Sequence, residues 1–287
     1  MFKDDLLAGA HILITGGGTG LGKSMGRRFL ELGARLTICG RRLAVLEETA
    51  AEHRAATGGE VAVFACDVRD HDAVEAMVAS AEAIAPVTAL VNNAAGNFLA
   101  RSEELSPRAV DAVVGIVLKG SLNLTLALGR RWLGQGRHGT VLSIVTSYAW
   151  TGSAYVLPSA VAKAGVLAMT RSLAVEWGGR GVRLNAIAPG PFPTEGAWGR
   201  LVPRPELART FETRNPLGRP GGHRELADLA TYLLADGSAY INGEVVAIDG
   251  GEWLKGAGQF SFLMEMLDEA DWQALRPGGR RRPSGSG

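Results

Sequence analysis

The sequence predicts a three-layer α/β domain built on a doubly wound parallel sheet, and three observations predict it. Short, wholly apolar runs alternate with longer amphipathic stretches, the pattern of strands buried on both faces between helical layers. Hydrophobic residues make up 46% of the 287, enough to fill one large core in a single domain. Five glycines fall between Gly16 and Gly22, where the first apolar run meets the first amphipathic stretch. In such sheets ligands bind beyond the carboxyl ends of the strands.

In chain order, His11 to Thr15 reads as a buried strand and Leu21 to Leu32 as a helix stopped by Gly33. Arg35 to Cys39 is the second strand, followed by a helix to about Ala56. Val61 to Cys66, Ala89 to Asn92, Thr140 to Val145, Val182 to Ala188 and Glu244 to Ile248 are further strands. Helical periodicity fills Pro107 to Leu133, Ser159 to Trp177 and His223 to Leu234. Pro189 to Pro220 is rich in proline and glycine and includes Trp198 and Arg200. A connection that long reads as a substrate loop. Residues 1–258 are expected to form the domain, and 259–287 a C-terminal extension. Arg276 to Gly287, with Arg280-Arg281-Arg282, has the composition of a disordered end.

Charged residues are 21% of the chain and the net charge is +1, so no overall field draws nucleic acid or an anionic membrane. No stretch offers about twenty uninterrupted apolar residues, and the N-terminus lacks a basic region followed by an apolar one. Cys39 and Cys66 both sit in strand-like runs, which argues against a disulfide framework. A reducing, cytoplasmic setting is expected. The five histidines, His11, His53, His71, His138 and His223, show no ligand spacing, and no metal site is expected.

Thr15-Gly16-Gly17-Gly18-Thr19-Gly20-Leu21-Gly22 joins strand to helix. Glycines let the chain turn sharply and approach a phosphate, and the helix N-terminus offers free N–H groups. The same segment also satisfies G-x-x-x-x-G-K-S/T through Gly17, Gly22, Lys23 and Ser24, the phosphate loop of nucleotide triphosphatases. The rest of the chain favours a dinucleotide. Arg41 and Arg42 follow the second strand, and no acid lies between Thr37 and Leu46. An acid there would hold a ribose hydroxyl, whereas arginine accommodates the extra phosphate of NADP.

Further segments complete a pattern. Asn92-Asn93-Ala94-Ala95-Gly96, Ser159-Ala160-Val161-Ala162-Lys163-Ala164-Gly165, Asn185-Ala186-Ile187-Ala188-Pro189-Gly190 and Asn242-Gly243-Glu244 through Asp249-Gly250-Gly251 stand in order. With the glycine loop they resemble the short-chain dehydrogenase/reductase family over roughly Leu7 to Trp253, which implies a Rossmann-type fold. Asn93 to Leu99, Ser147 to Gly152, and Pro189-Gly190-Pro191 with Gly196 to Leu201 resemble the 2,4-dienoyl-CoA reductases more narrowly. Most of the family carries Y-x-x-x-K, but here the first position is Ser159 ahead of Lys163. The dienoyl-CoA reductases share that serine and place their tyrosine eleven residues earlier, which here is Tyr148.

Four residues of helix bring Ser159 and Lys163 onto one face. A lysine there can hydrogen-bond the ribose of a nicotinamide nucleotide and keep the site electropositive. The resemblance implies that Tyr148 and Asn97 both donate to a thioester carbonyl oxygen while NADPH delivers hydride to the far end of the diene. It leaves the proton donor open. Tyr155, eight residues before Lys163, is the competing tyrosine, with an aromatic role sufficing for it. By resemblance the cofactor-binding set is Gly16, Gly17, Gly18, Thr19, Gly20, Leu21, Arg41, Asp67 at the adenine, Asn93, Lys163, and Pro189, Gly190, Pro191 and Phe192 packed on the nicotinamide. Arg69, Phe98, Ser106 and Arg200 would meet the acyl-CoA. Many family members have asparagine where this chain has Lys119, which weakens any mechanism needing the water that asparagine organises.

The implied activity is NADPH-dependent reduction of a 2,4-dienoyl-CoA to an enoyl-CoA, a step of fatty-acid β-oxidation. The implied assembly is a homotetramer. The alternatives are an NADPH-dependent 3-oxoacyl-thioester or ketone reductase, a 2-enoyl-CoA reductase, and a catalytically inactive NADP-binding protein.

Overall fold

The computed structural model describes residues 1–194, 210 and 213–275. Strands β1 (His11–Thr15), β2 (Arg35–Gly40), β3 (Val61–Ala65), β4 (Ala89–Asn92), β5 (Gly139–Ile144), β6 (Val182–Pro189) and β7 (Val245–Ile248) alternate with helices along the chain. Among the described residues they form one seven-stranded sheet in the order β3-β2-β1-β4-β5-β6-β7. Every neighbouring pair is parallel, with Leu13 beside Thr37 on one side and Leu90 on the other. The chain winds outward from β1 to β3, then returns to lay β4 on the other side of β1. That reversal is the switch point at which such sheets open a crevice for a ligand.

Why the strands read as continuous apolar runs is visible in the packing. Alternate residues point to opposite faces, and helices cover both. Ile12 and Ile14 pack with Met25 and Phe29 of α1 (Gly20–Glu31) and with Leu226 and Ala230 of α7 (His223–Leu234). Leu13, Leu90 and Leu184 pack with Val74 and Val78 of α3 (His71–Ile84) and with Leu124, Leu128 and Trp132 of α4 (Pro107–Gly134). Each fully buried side chain of this size contributes about 1.5–3 kcal/mol. The remaining α-helices among the described residues are α2 (Leu43–Thr57), α5 (Tyr148–Thr151), α6 (Leu157–Gly178), α8 (Glu252–Ala257) and α9 (Glu269–Leu275).

Capping follows from residue type. The Asp70 carboxylate accepts from the N–H groups of Asp72 and Ala73 at the start of α3, at 3.0 and 3.1 Å. Ser106 does the same for Ala109 at the start of α4, with Pro107 at the first helical position.

Three differences from the sequence reading matter. Pro107 to Leu133 is not one regular helix: Gly115–Lys119 forms a π-turn in which Gly120 N–H donates to the Gly115 carbonyl. The wider turn lets α4 press on the segment after β3, where a Cβ on Gly120 would lie 2.5 Å from Val68 Cγ2. By length and composition α4 could cross a membrane, but half of its apolar window is buried, with Leu124, Leu128 and Trp132 against the sheet. It is a core helix. The four-residue α5 was not foreseen, because one turn is too short to show a period. The expected disordered end at Arg276 to Gly287 lies outside the described residues.

Candidate active site

The site is assembled from segments that leave the carboxyl ends of β1 to β6. At the end of β1, the Thr15 hydroxyl accepts from Asn93 N–H at 3.0 Å and Ala94 N–H at 2.9 Å. The Asn93 side chain donates in return to the carbonyls of Thr15 and Gly16, at 3.0 and 3.2 Å. The glycine loop is thereby bound to the loop after β4. Gly16 and Gly20 have φ of +66° and +54°, which side chains with a Cβ adopt at a cost. A Cβ on Gly17 would stand 2.5 Å from Ile38 Cγ2, and one on Gly22 2.5 Å from the Gly16 carbonyl oxygen. The loop is close-packed beneath, Thr19 supplies no side-chain cap, and no acid stands in the first turn of α1. An uncapped helix N-terminus with bare backbone suits a phosphate.

The rival triphosphatase pattern finds its side chains engaged. Lys23 pairs with Glu52 at 2.5 Å, and Ser24 Oγ lies 2.7 Å from His223 Nδ1. At the ends of β2 and β3 the surface is basic. Arg41 and Arg42 are exposed and form no ion pair among the described residues. Asp67 is gripped by Arg69, whose Nε lies 2.9 Å from Oδ1 and whose Nη2 lies 2.5 Å from Oδ2. The Arg69 guanidinium holds the Asp67 carboxyl below the usual carboxylate range. The chain thus couples the residue expected at the adenine to one expected at the acyl-CoA.

The candidate catalytic groups come from the segment after β4, from the short α5 and from the long α6. The Tyr148 hydroxyl, at the start of α5, receives a hydrogen bond from Asn97 Nδ2 at 3.2 Å and lies 3.0 Å from Ser159 Oγ. Asn97 is held by its own Oδ1, which accepts from Phe98 N–H at 2.9 Å. Ser159 and Lys163 share the inner face of α6 and are 2% and 7% exposed. Lys163 Nζ donates to the Ile144 carbonyl at the end of β5, and burial brings its pKa down to about 8. Burial pushes the Tyr148 phenol up, while hydrogen bonds to Ser159 and Thr146 pull the other way. Tyr155 stands apart and is 61% exposed.

Other expected residues fall differently. Phe192, expected against the nicotinamide, is 8% exposed and sits in the core, where a Cβ on Gly221 would lie 2.3 Å from its ring. A phenyl ring in that position anchors the loop to the core. Pro191 accepts from Gly221 N–H at 2.9 Å, and Gly190 N–H donates to Ile248 at 3.0 Å. Ser106 is occupied as the cap of α4. Phe98 packs beside Val113 and Val117. Lys119 is exposed at the π-turn. Arg200 lies outside the described residues. The sequence reading missed Thr194, whose Cγ2 would lie 3.3 Å from a Cβ on Gly20. It also missed Trp150 against Trp253, edge to face with centroids 5.7 Å apart. Thr194 belongs to no motif, and although Trp150 lies within the Ser147 to Gly152 segment, nothing local marks Trp253 as its partner.

Parallel sheet, glycine loop and a buried lysine one helical turn beyond the serine that meets a phenol define a nucleotide-dependent oxidoreductase of the α/β class. The chain belongs to the short-chain dehydrogenase/reductase family: the family model described as enoyl-(acyl carrier protein) reductase matches residues 16–252. It is 47% identical over 255 residues to an uncharacterized oxidoreductase of Caenorhabditis elegans, covering 86% of this chain and 80% of that one. It is 44% identical over 246 residues to a protein of Bacillus subtilis named "probable 2,4-dienoyl-CoA reductase, (2E)-enoyl-CoA-producing", covering 85% and 96%. Among solved structures, a short chain dehydrogenase from Bacillus anthracis superposes with a TM-score of 0.77 at 40% identity, covering 85% of this chain and 96% of that one.

Proposed function

We propose that this oxidoreductase reduces a 2,4-dienoyl-CoA to an enoyl-CoA with NADPH. The observation that carries the reading is the Tyr148 hydroxyl within hydrogen-bonding distance of both Asn97 and Ser159. A phenol has one proton and two acceptor lone pairs, and an amide nitrogen has two protons. When Ser159 and Asn97 both donate to the phenol oxygen, the Tyr148 proton and the second Asn97 proton are left for one outside acceptor. A thioester carbonyl oxygen that gains negative charge during reduction is such an acceptor, and preorganised donors stabilise it without reorganising.

The bound NADPH would supply the hydride. Gly16 to Leu21 would hold its phosphates, Lys163 its ribose, Arg41 and Arg42 the extra phosphate, and the backbone of Pro189 to Phe192 the nicotinamide. Asn97 and Tyr148 would orient the thioester and keep the extended enolate until it is protonated. Lys163, buried 19 residues from its partner Ile144 in the chain, keeps the cleft electropositive and favours that anion. The Bacillus subtilis relative's name points the same way. Ketone reduction on this scaffold would call for tyrosine at position 159, where this chain has Ser159.

The test is NADPH oxidation measured with a 2,4-dienoyl-CoA beside a 2-enoyl-CoA and a 3-oxoacyl-CoA of equal chain length. Faster turnover of the dienoyl thioester is expected. Preference for the 3-oxoacyl thioester would overturn the reading.

A further inference from the structure

Tyr155 is the one non-glycine residue with positive φ among those described, at 67°. An aromatic L-residue adopts that left-handed backbone rarely. Packing of its side chain does not account for the conformation, since the residue is 61% exposed. Its carbonyl does: the Tyr155 oxygen accepts from Ala100 N–H at 3.0 Å. Tyr155 lies on the connection between Tyr148 at the start of α5 and Ser159 in α6. Ala100 lies three residues beyond Asn97 on the segment after β4. This backbone hydrogen bond therefore joins the segment that carries Asn97 to the one that carries Tyr148 and Ser159. The Asn97–Tyr148 contact it accompanies is 3.2 Å long, at the outer end of the normal range, so a small shift between the segments would break it.

We propose that Tyr155 is a positioning residue whose left-handed backbone, rather than its ring, clamps the Asn97 segment to the Tyr148–Ser159 segment. The assignment of Asn97 and Tyr148 as the substrate's hydrogen-bond donors rests on the dienoyl-CoA reading. The clamp itself is a property of the backbone and can be measured without substrate. Glycine accepts the left-handed conformation freely and proline cannot adopt it, so Tyr155→Gly should keep the clamp and Tyr155→Pro should release it.

The test uses the full chain. In wild type, hydrogen–deuterium exchange should find the Ala100 amide protected. Protection should persist in Tyr155→Gly and vanish in Tyr155→Pro. Turnover of the preferred thioester by Tyr155→Gly should stay within about twofold of wild type, whereas Tyr155→Pro should lose on the order of 100-fold in kcat with KM for NADPH unchanged, as expected when a reacting group is misplaced by about 1 Å. Should Tyr155→Pro not fold, Tyr155→Val is compared with Tyr155→Gly in its place. An unprotected Ala100 amide in wild type, or equal kcat in the glycine and proline or valine variants, would overturn the clamp. If the dienoyl-CoA reading fails instead, Tyr148→Phe and Asn97→Ala leave turnover unchanged while Ala100 exchange still separates the variants.

Discussion

The Ser159 hydroxyl lies 3.0 Å from the Tyr148 phenol oxygen, although the two residues are 11 apart in the chain. The family resemblance leads one to expect a tyrosine four residues before Lys163 on the long helix. Here a serine occupies that place and supports a phenol delivered by the preceding turn. Removing the phenol oxygen should therefore remove a donor and leave the fold intact. Tyr148→Phe is expected to lower kcat by roughly 100- to 1,000-fold, with melting temperature and NADPH affinity unchanged. Ser159→Ala, which removes only the support, should cost less. Steady-state kinetics with thermal melting checks both.

Lys163 gives a pH signature. Its folded-state pKa is brought down to about 8 by burial, below the value of a free lysine near 10.4. Between those values the unfolded chain holds the proton that the folded chain has released, so stability rises with pH there. Below about pH 8 the cost of the buried ammonium is present in full. Lys163→Met should be more heat-stable than wild type at pH 7, and the gap should narrow as pH rises toward about 10. A gap that widens over that range would contradict the burial of a charged amine.

Arg41 and Arg42 stand exposed at the end of β2. Losing a charged hydrogen bond to phosphate costs about 1.5–3 kcal/mol, so Arg41→Ala should reduce kcat/KM for NADPH by about 10- to 100-fold and leave that for NADH nearly unchanged. Assays with both nucleotides decide it. An equal loss for the two would remove the phosphate-binding role.

Gly22 tolerates no side chain, because a Cβ would stand 2.5 Å from the Gly16 carbonyl and 2.6 Å from Asn93 Nδ2. Neither is the loose end of a flexible side chain. Gly22→Ala should destabilise the fold by about 1–3 kcal/mol and weaken dinucleotide binding more than Gly134→Ala, whose Cβ would meet nothing within 4 Å. Urea unfolding and fluorescence titration with NADPH compare the two.

Much of this architecture is legible in the sequence because a parallel sheet covered on both faces makes each strand a plain apolar run. Ala89–Asn92 and His223–Leu234 fall on the residues read from pattern alone. The glycine spacing is equally readable, since Gly17 and Gly22 are dictated by close approach of Ile38 and Gly16. What pattern does not carry is anything formed by side chains distant in sequence. The burial of Phe192 beneath Gly221 and the meeting of Trp150 with Trp253 depend on where loops settle. The π-turn at Gly115–Lys119 escapes for another reason: one extra residue in a 28-residue helix scarcely disturbs its periodicity.

Trp150 and Trp253 meet edge to face, two residues after the proposed donor Tyr148 and one after the start of α8. A strut of two indoles therefore ties the post-sheet portion of the polypeptide to the turn that presents the phenol. A substitution at Trp253 is expected to loosen the turn that presents Tyr148 although it lies more than a hundred residues further along the chain.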